Sequence, residues 1–429
     1  MSKFHKEFPF YHKASHMKRC EVKTMRQKLG FSGWLYLLPT LILIGIFSLW
    51  PVVQSITYTL FDYKLNDQQK AGLYLQERFN TDLFQETVLY IDLFLSEDLT
   101  NITDSKDKEK VETVLQNLNR VASSYTDNKG IIEISKEERL EINQLYENTK
   151  ALIEHLTKNY SLTHTDSLPL LVEDIEKSMI PSNFIGLKAY KEALGDKRIH
   201  IALGNTFLFT LVSVAIELIL GLGLALILNK AIVGQGLVRT TSLIPWAIPT
   251  AVAALMWCYL YDGTSGIVAH FFENLGLISQ SQNLLLSQGG AMVSTILADV
   301  WKTTPYMALL LLAGLQNIPS TLYEAASIDG SSKFKSFFTV TLPLLKSSIL
   351  VALLFRTLDA FRVFDLIFVL TGGGPGGATE TLSIYAYKTM FGQTNFGYGS
   401  VVVMIMFVCV AIIAIIFVRL LGKNLLDRN

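Results

Sequence analysis

Six apolar stretches, each close to the roughly 20 residues that a bilayer core demands of a helix, constrain this chain more than any other feature. They fall at about 34–53, 205–228, 242–261, 291–313, 348–370 and 400–420. In hydrocarbon every backbone N–H and C=O must find a partner within its own structure, so separated runs of this length are expected to be helices. Only 17% of the 429 residues are charged, against about 25% in an ordinary soluble chain, and the mean hydropathy is +0.35. The expectation is an all-α, polytopic membrane protein with six transmembrane helices.

Lys and Arg in short loops set the orientation, because they favour the cytoplasmic face. Eight lie in the N-terminal tail, 1–33. Lys230 and Arg239 lie in the 229–241 loop, and Lys333, Lys335 and Lys346 in 314–347. The opposite loops are nearly bare, with none in 262–290 and only Lys388 in 371–399. Both termini and the 314–347 loop are therefore expected in the cytoplasm, in a cell (inner) membrane. The tail does not read as a cleavable signal peptide: it is basic and polar, and the apolar run after it is too long.

By the same alternation, 66–199 lies outside the cytoplasm. Residues 66–198 hold 24 of the 37 acidic residues and 16 of the 37 basic ones. Phe79, Leu83, Phe84, Val88, Ile91 and Leu95 recur at helical spacing, as do Val111, Val114, Leu115 and Leu118, and Ile142, Leu145, Leu152, Ile153 and Leu156. Polar breaks at 98–106 and 123–130 separate them. A small acidic helical domain is expected, either a solvated decoration or a docking surface for an extracytoplasmic partner. The domain plan is a tail at 1–33, a first span with its exit at 34–65, a helical insertion at 66–181, and a core at 182–425.

The 314–347 loop is polar and carries its own helix punctuation. A helix is expected from Pro319 and Ser320, broken by Gly330, and a second from Lys333 to about Thr341, stopped by Pro343. A small-residue face with an acid near its start suits docking. In the fifth apolar run, Arg356, Asp359, Arg362 and Asp365 alternate in sign at three-residue spacing, covering about 14 Å of helix rise. Intramembrane charges usually face a cavity or a bundle interior. Two readings stand: mutual pairing that locks packing, or a polar wall along a solute path. Glycines and Pro375 in 371–381 are expected to unwind the helix at the outer face.

Other signals are weaker. GGGPGG is no phosphate loop, since no Lys-Ser/Thr follows it. Gly221 and Gly223 read as helix-packing positions. His12, His16 and Cys20 share a helical face but lack a fourth metal ligand. Asn101 and Asn159 begin bare glycosylation tripeptides. Cys20, Cys258 and Cys409 are too far apart to read as a disulfide framework. Neither nucleophile–base constellation nor nucleotide motif is legible, and nothing points to nucleic acid. Uphill transport would have to draw its energy from a partner or an ion gradient.

EAASIDGSSKFKSFFTVTLPLL, at 324–345, resembles the EAA motif of membrane subunits of binding-protein-dependent ABC importers. FRVFDLIFVLTGGGPGGATETLSIYAYKTMF is similar to the fifth-span and exit-loop signature of maltose/trehalose-type sugar permeases, of the larger-subunit type. VWKTTPYMALLLLAGLQNIPSTLYEAA resembles their fourth span, and FIGLKAYKEAL with NTFLFTLV resembles the approach to their second. The resemblance covers about 31–65 and 182–425. It implies the type I ABC importer permease fold and a sugar delivered by a solute-binding protein. The implied partners are a homologous second permease, two ABC ATPase subunits and an extracytoplasmic sugar-binding protein, besides membrane lipid. No cofactor would be bound by this chain. ATP and Mg would sit on the ATPases, so this subunit would be a translocator and not an enzyme.

The resemblance also carries residues over. The ATPase-coupling role falls on Glu324, Ala325, Ala326, Asp329 and Gly330, with Pro343 closing the loop. Substrate contacts fall on Lys302, Thr303 and Tyr306, and on Arg356, Ala360 and Val363. Asp359, Arg362 and Asp365 join the path by their charge. The maltose-type subunit lacks Arg356 and has uncharged polar groups where Ala360 and Val363 stand. Enterobacterial maltose permeases carry a large outward insertion that contacts the binding protein, at a place equivalent to 66–181 but without sequence match.

Two competing classes remain open at this stage. An ion-coupled secondary transporter would use the fifth-span charges as a proton relay, although no inverted repeat is readable. A receptor would use the insertion to sense a ligand. The sugar is not specified, and Lys302 with Arg356 leaves glycerol phosphate or an anionic oligosaccharide open.

Overall fold

A computed structural model describes residues 31–230 and 234–426, and the chain divides after Ser55 into two units. Outside the described residues lie His12, His16 and Cys20 with the rest of the basic tail.

In the first unit a helix, Phe31–Ile44, passes through a π turn, Gly45–Leu49, into a second helix, Trp50–Tyr58, that runs on past the unit boundary. The π turn ends two residues before Pro51. A proline lacks an N–H and its ring clashes with the carbonyl four residues back, and one wider turn absorbs both faults. This segment is the first expected span.

The second unit contains the long helices Lys197–Leu228, Gln288–Gln316 and Phe396–Leu426, and a helical run over Lys333–Phe361. With the first segment, five helices among the described residues are long and apolar enough to cross a membrane. The stretch expected as a third span is divided into Gln235–Ser242, Ile244–Ala247 and Thr250–Leu260. Pro249 explains the main break: it drives the preceding Ile248 into extended backbone, at ψ 133°. The bundle centre is apolar, with Phe209, Met307, Ala308, Leu311, Leu345 and Ala352 fully buried. Small residues set the closest approaches. A Cβ added at Gly221 would lie 2.7 Å from Cγ of Met307, and one added at Gly314 would overlap Ser348.

The fifth run departs from expectation at its start. Pro343 does not end a helix there. It sits at the beginning of Leu342–Phe361, joined to Lys333–Ser336 through a second π turn, Phe337–Thr341. Again the wide turn ends two residues before the proline, so the helix continues and the span starts about fifteen residues earlier than its apolarity indicated.

Between the first and second spans the chain leaves and returns through one neck. The Asp62 N–H donates to the Asn183 carbonyl at 2.8 Å, and Phe61 bridges Phe184. The Asn183 side chain holds Gly72 and Tyr74 beside it. Four helices follow: Thr81–Asp98, Ser105–Ser124, Lys136–Asn159 and Ser167–Ser178. Side-chain caps from Asn80, Asp104 and Ser135 start the first three, and Ser135 with Glu138 forms a capping box. Phe84, Ile91, Leu95, Val111, Leu118, Ile142, Ile153 and Leu156 form the core.

A small antiparallel sheet was not legible in the sequence. β1 (Glu77–Asn80) lies between β2 (Ile131–Ile134) and β3 (Met179–Ile180), with Glu77 opposite Ile134 and Arg78 opposite Ile180. Phe79, read as helical, is in β1. Its ring is buried against Phe84 and Tyr125, which makes it a core residue all the same.

Candidate functional site

The fifth run is helical to Phe361, opens over Arg362–Phe364 and resumes as Asp365–Leu370. One turn before the break, the guanidinium of Arg356 is buried, with 1% of its side chain exposed. A guanidinium in such a place needs carboxylates and hydrogen-bond acceptors around its planar fork. Nε and Nη2 donate to the two oxygens of Glu217 at 2.5 and 2.9 Å. Nη2 also meets Oδ2 of Asp299 at 2.5 Å, and Nη1 meets Oδ2 of Asp359 at 3.1 Å. Thr303 donates to Glu217 at 2.8 Å. One cation thereby ties the second, fourth and fifth spans together.

Of the two readings of the four fifth-span charges, mutual pairing describes only part of the arrangement. Arg356–Asp359 exists, and Arg362 reaches Asp359 at 3.8 Å, but the main partners of Arg356 come from other helices. Glu217 and Asp299 went unremarked in the sequence. Each is the one acid inside an apolar run, a position that by itself marks a functional residue.

Beside the network lies a cavity of about 520 Å³. Of the candidate path residues, Lys302, Thr303, Arg356, Asp359, Ala360, Arg362, Val363 and Asp365 line it. Tyr306 does not, but its ring stacks on Trp246, which does, at 5.4 Å and 13°. The third-span break supplies another wall. Lys302 Nζ donates to the carbonyls of Ile248, at 2.6 Å, and Trp246, at 3.2 Å. Its charge therefore holds the break beside Pro249, where backbone carbonyls lack helical partners. In the cavity lining, Lys302, Arg356 and Arg362 stand against Asp299, Asp359 and Asp365, so the formal charges balance, with Glu217 buried behind them on Arg356.

Past the break, Gly372, Gly373, Gly376 and Gly377 all have positive φ, and Asn205 donates to the Gly377 and Glu380 carbonyls. Glu380 closes this loop by pairing with Arg198, at 2.7 Å, and Lys388, at 3.0 Å. Burial pushes its pKa up, but the two cations outweigh that and lower it.

At the other end of the fourth and fifth spans, Ser320–Ile328 forms a separate helix. Gly330 takes φ 73°, and the Ser331 N–H closes on the Ala326 carbonyl at 2.9 Å, a left-handed helix stop that favours glycine. Glu324, Ala325, Asp329 and Gly330 are exposed, and Ala326 is half-buried. Glu324 and Asp329 make no ion pair among the described residues. Ile328 is 86% exposed. The Tyr323 hydroxyl meets that of Thr341 at 3.0 Å, tying this helix to the start of the fifth span. Among the described residues, no group of His, Cys, Asp and Glu is arranged to hold a metal.

Apolar helices around a charged cavity of about 520 Å³, with an exposed polar helix at one end, define the membrane core of a solute transporter. Residues 199–427, more than half the chain, match the family described as binding-protein-dependent transport system inner membrane component, and the chain belongs to that family. It is a multi-pass permease subunit of an ABC importer. The trehalose/maltose transport system permease of Thermococcus litoralis is 45% identical over 236 residues, 55% of this chain and 79% of that one. A trehalose transport permease of Mycobacterium tuberculosis is 45% identical over 239 residues, 56% and 75% of the two chains. A sulfoquinovosyl glycerol transport permease of Agrobacterium fabrum is 39% identical over 244 residues, 57% and 79%. In fold, the chain is similar to a bacterial ABC transporter that imports the acidic polysaccharide alginate, with a TM-score of 0.50 at 20% identity over 56% of this chain and 84% of that one.

Proposed function

We propose that this permease carries a neutral di- or oligosaccharide through the 520 Å³ cavity. The observation that carries the reading is the state of the cavity's cations. Arg356 is ringed by three carboxylates, Lys302 gives two of its three donors to backbone carbonyls, and Arg362 stands 3.8 Å from Asp359, so each cation of the cavity already has an acceptor beside it. Asp359 and Asp365 offer acceptors to hydroxyl groups, and Trp246 and Phe364 offer apolar faces, the mixture a sugar site uses. The names of the trehalose and maltose relatives support the same class. A glycerol phosphate or an acidic sugar would bring its charge up against Asp299, Asp359 and Asp365.

The transporter is completed by a second permease, two ATPases that bind ATP and Mg, and an extracytoplasmic binding protein. Hydrolysis belongs to the ATPases. The 320–330 helix docks on one of them in the cytoplasm, where Glu324 and Asp329 meet basic groups while Ala325, Ala326 and Gly330 allow close approach. Lys and Arg bias in the loops supports cytoplasmic termini and an outward insertion at 66–181. Switching requires contacts that differ between the two states, and the docked loop supplies them.

The test is ATP-dependent uptake of radiolabelled trehalose, maltose and glycerol phosphate by the complete complex in proteoliposomes, with and without a protonophore. Sugar uptake that needs ATP and ignores the protonophore is expected. Uptake of glycerol phosphate alone, or collapse with the protonophore, would sink the reading. Deleting 67–181, whose ends meet at the neck, tests the insertion: loss of binding-protein-dependent uptake is expected if it docks that protein.

A further inference from the structure

Phe364, at the break in the fifth span, lines the cavity, and its ring begins a series. It packs on Phe368, with centroids 5.1 Å apart and planes at 19°, and on Tyr387 at 4.9 Å. Tyr387 meets Phe391 at 5.0 Å, Phe391 meets Phe396 at 5.5 Å, and Phe396 meets Tyr63 at 5.8 Å. Six rings thus lead without a gap from the cavity to the foot of the insertion, where Lys64 bridges Asn395. Phe368, Tyr387 and Phe391 are 40%, 36% and 60% exposed.

Rings open to this degree in a membrane protein face lipid, another subunit or water. Their neighbours argue against lipid. Arg362 and Asp365 flank Phe364, the Arg362 side chain is 66% exposed, and Lys388 beside Tyr387 is 38% exposed. Such charges are kept out of hydrocarbon and turned toward aqueous cavities. With lipid set aside, rings and charges share a surface that starts at Phe364 in the cavity and faces water or another subunit.

We propose that this series is a stacking track on which pyranose rings slide between the outer mouth and the cavity. The proposal rests on the sugar reading above. A pyranose presents an apolar C–H face to a flat ring, and its hydroxyl rim meets polar groups at the edge of the track. Arg362 and Lys388 stand at that edge. The planes turn by 19–77° between successive rings, so each exposed rung offers its own face, and the track favours longer sugars without demanding one sequence of units.

The test uses the complete complex in proteoliposomes, with trehalose, maltose and maltotetraose as probes, read on the longest that the wild type imports. Phe391→Leu keeps apolar bulk and removes the flat face, whereas Phe391→Tyr keeps the face. The leucine variant is expected to lower uptake of that sugar by about 2- to 10-fold, the span of one aromatic stacking contact, with the tyrosine variant near wild type. The second permease should co-purify with both. Unchanged uptake in Phe391→Leu overturns the track, as does loss of the second permease, which would make the ring a subunit contact. A wild-type complex that imports none of the three sugars overturns the sugar reading itself, and the track with it.

Discussion

Arg356 and Glu217 stand 139 positions apart, and two hydrogen bonds at 2.5 and 2.9 Å join them in the interior of the bundle. Removing one partner of such a pair leaves a buried charge uncompensated. Arg356→Met is expected to destabilise the protein by about 3–5 kcal/mol. Arg356→Lys, which keeps the charge but loses the planar fork, should fall between. Neutralising the carboxylates as well, with Glu217→Gln and Asp299→Asn, should restore most of the loss. Thermal unfolding of the purified protein measures all of these. A single Arg356→Met variant as stable as wild type would refute the network.

Glu324 is exposed on the helix proposed to dock on an ATPase subunit. Reversing its charge places like charges against a basic partner surface, a change that costs several kcal/mol across an interface. Glu324→Lys is expected to lower ATP-dependent uptake more than about tenfold, with membrane insertion unaltered. Uptake that survives the change would show that the helix docks elsewhere.

Gly221 and Gly223 separate close packing from mere smallness. A Cβ at Gly221 would lie 2.7 Å from Met307 and 3.3 Å from the Ala308 nitrogen, whereas one at Gly223 meets nothing within 4 Å. Gly221→Val should therefore cost about 1–3 kcal/mol by forcing the second and fourth spans apart. Gly223→Ala should leave the melting temperature unchanged.

In the insertion, Asp107 accepts hydrogen bonds from Lys110 at 2.9 Å, His155 at 3.0 Å and Tyr160 at 3.0 Å. Lys110 and His155, the largest influences, outweigh burial and with Tyr160 hold its carboxyl at about 2, below the ordinary 3.8. A lowered carboxyl pKa stabilises the fold above the unfolded value and loses that contribution as pH falls through the folded one. Protection of the insertion from pepsin should therefore decline between pH 4 and 2, in the window from about 3.8 down to about 2. Asp107→Asn should start less protected and show a flatter profile. Parallel profiles for the two proteins would rule the linkage out.

What could be read from the sequence was what one stretch of chain decides by itself. Apolar length located the helices, and local punctuation placed Ser320–Ile328 and the stop at Gly330. Partners distant in sequence were not legible. Glu217 and Asp299 are single acids in separate runs that only the fold brings to Arg356, and β1 was hidden because its four residues pair with strands about 50 and 100 positions on. Trp246 gave no signal, since its place in the cavity depends on the break at Pro249. Pro343 misled for another reason: a proline reads as a stop unless a π turn precedes it, and the turn depends on packing as well as on sequence.

That π turn has a mechanical consequence. Lys333–Phe361 is one rod of 29 residues, about 44 Å long, with a single soft joint near its base. One end adjoins the Gly330 turn, and the other carries Arg356 and the cavity wall. A tilt imposed at the base would swing the far end as a crank swings its shaft, while the grip of Arg356 on two other helices makes them follow. The wide turn is where such a crank would yield, so in the proposed docking its stiffness would set how much of each stroke reached the solute.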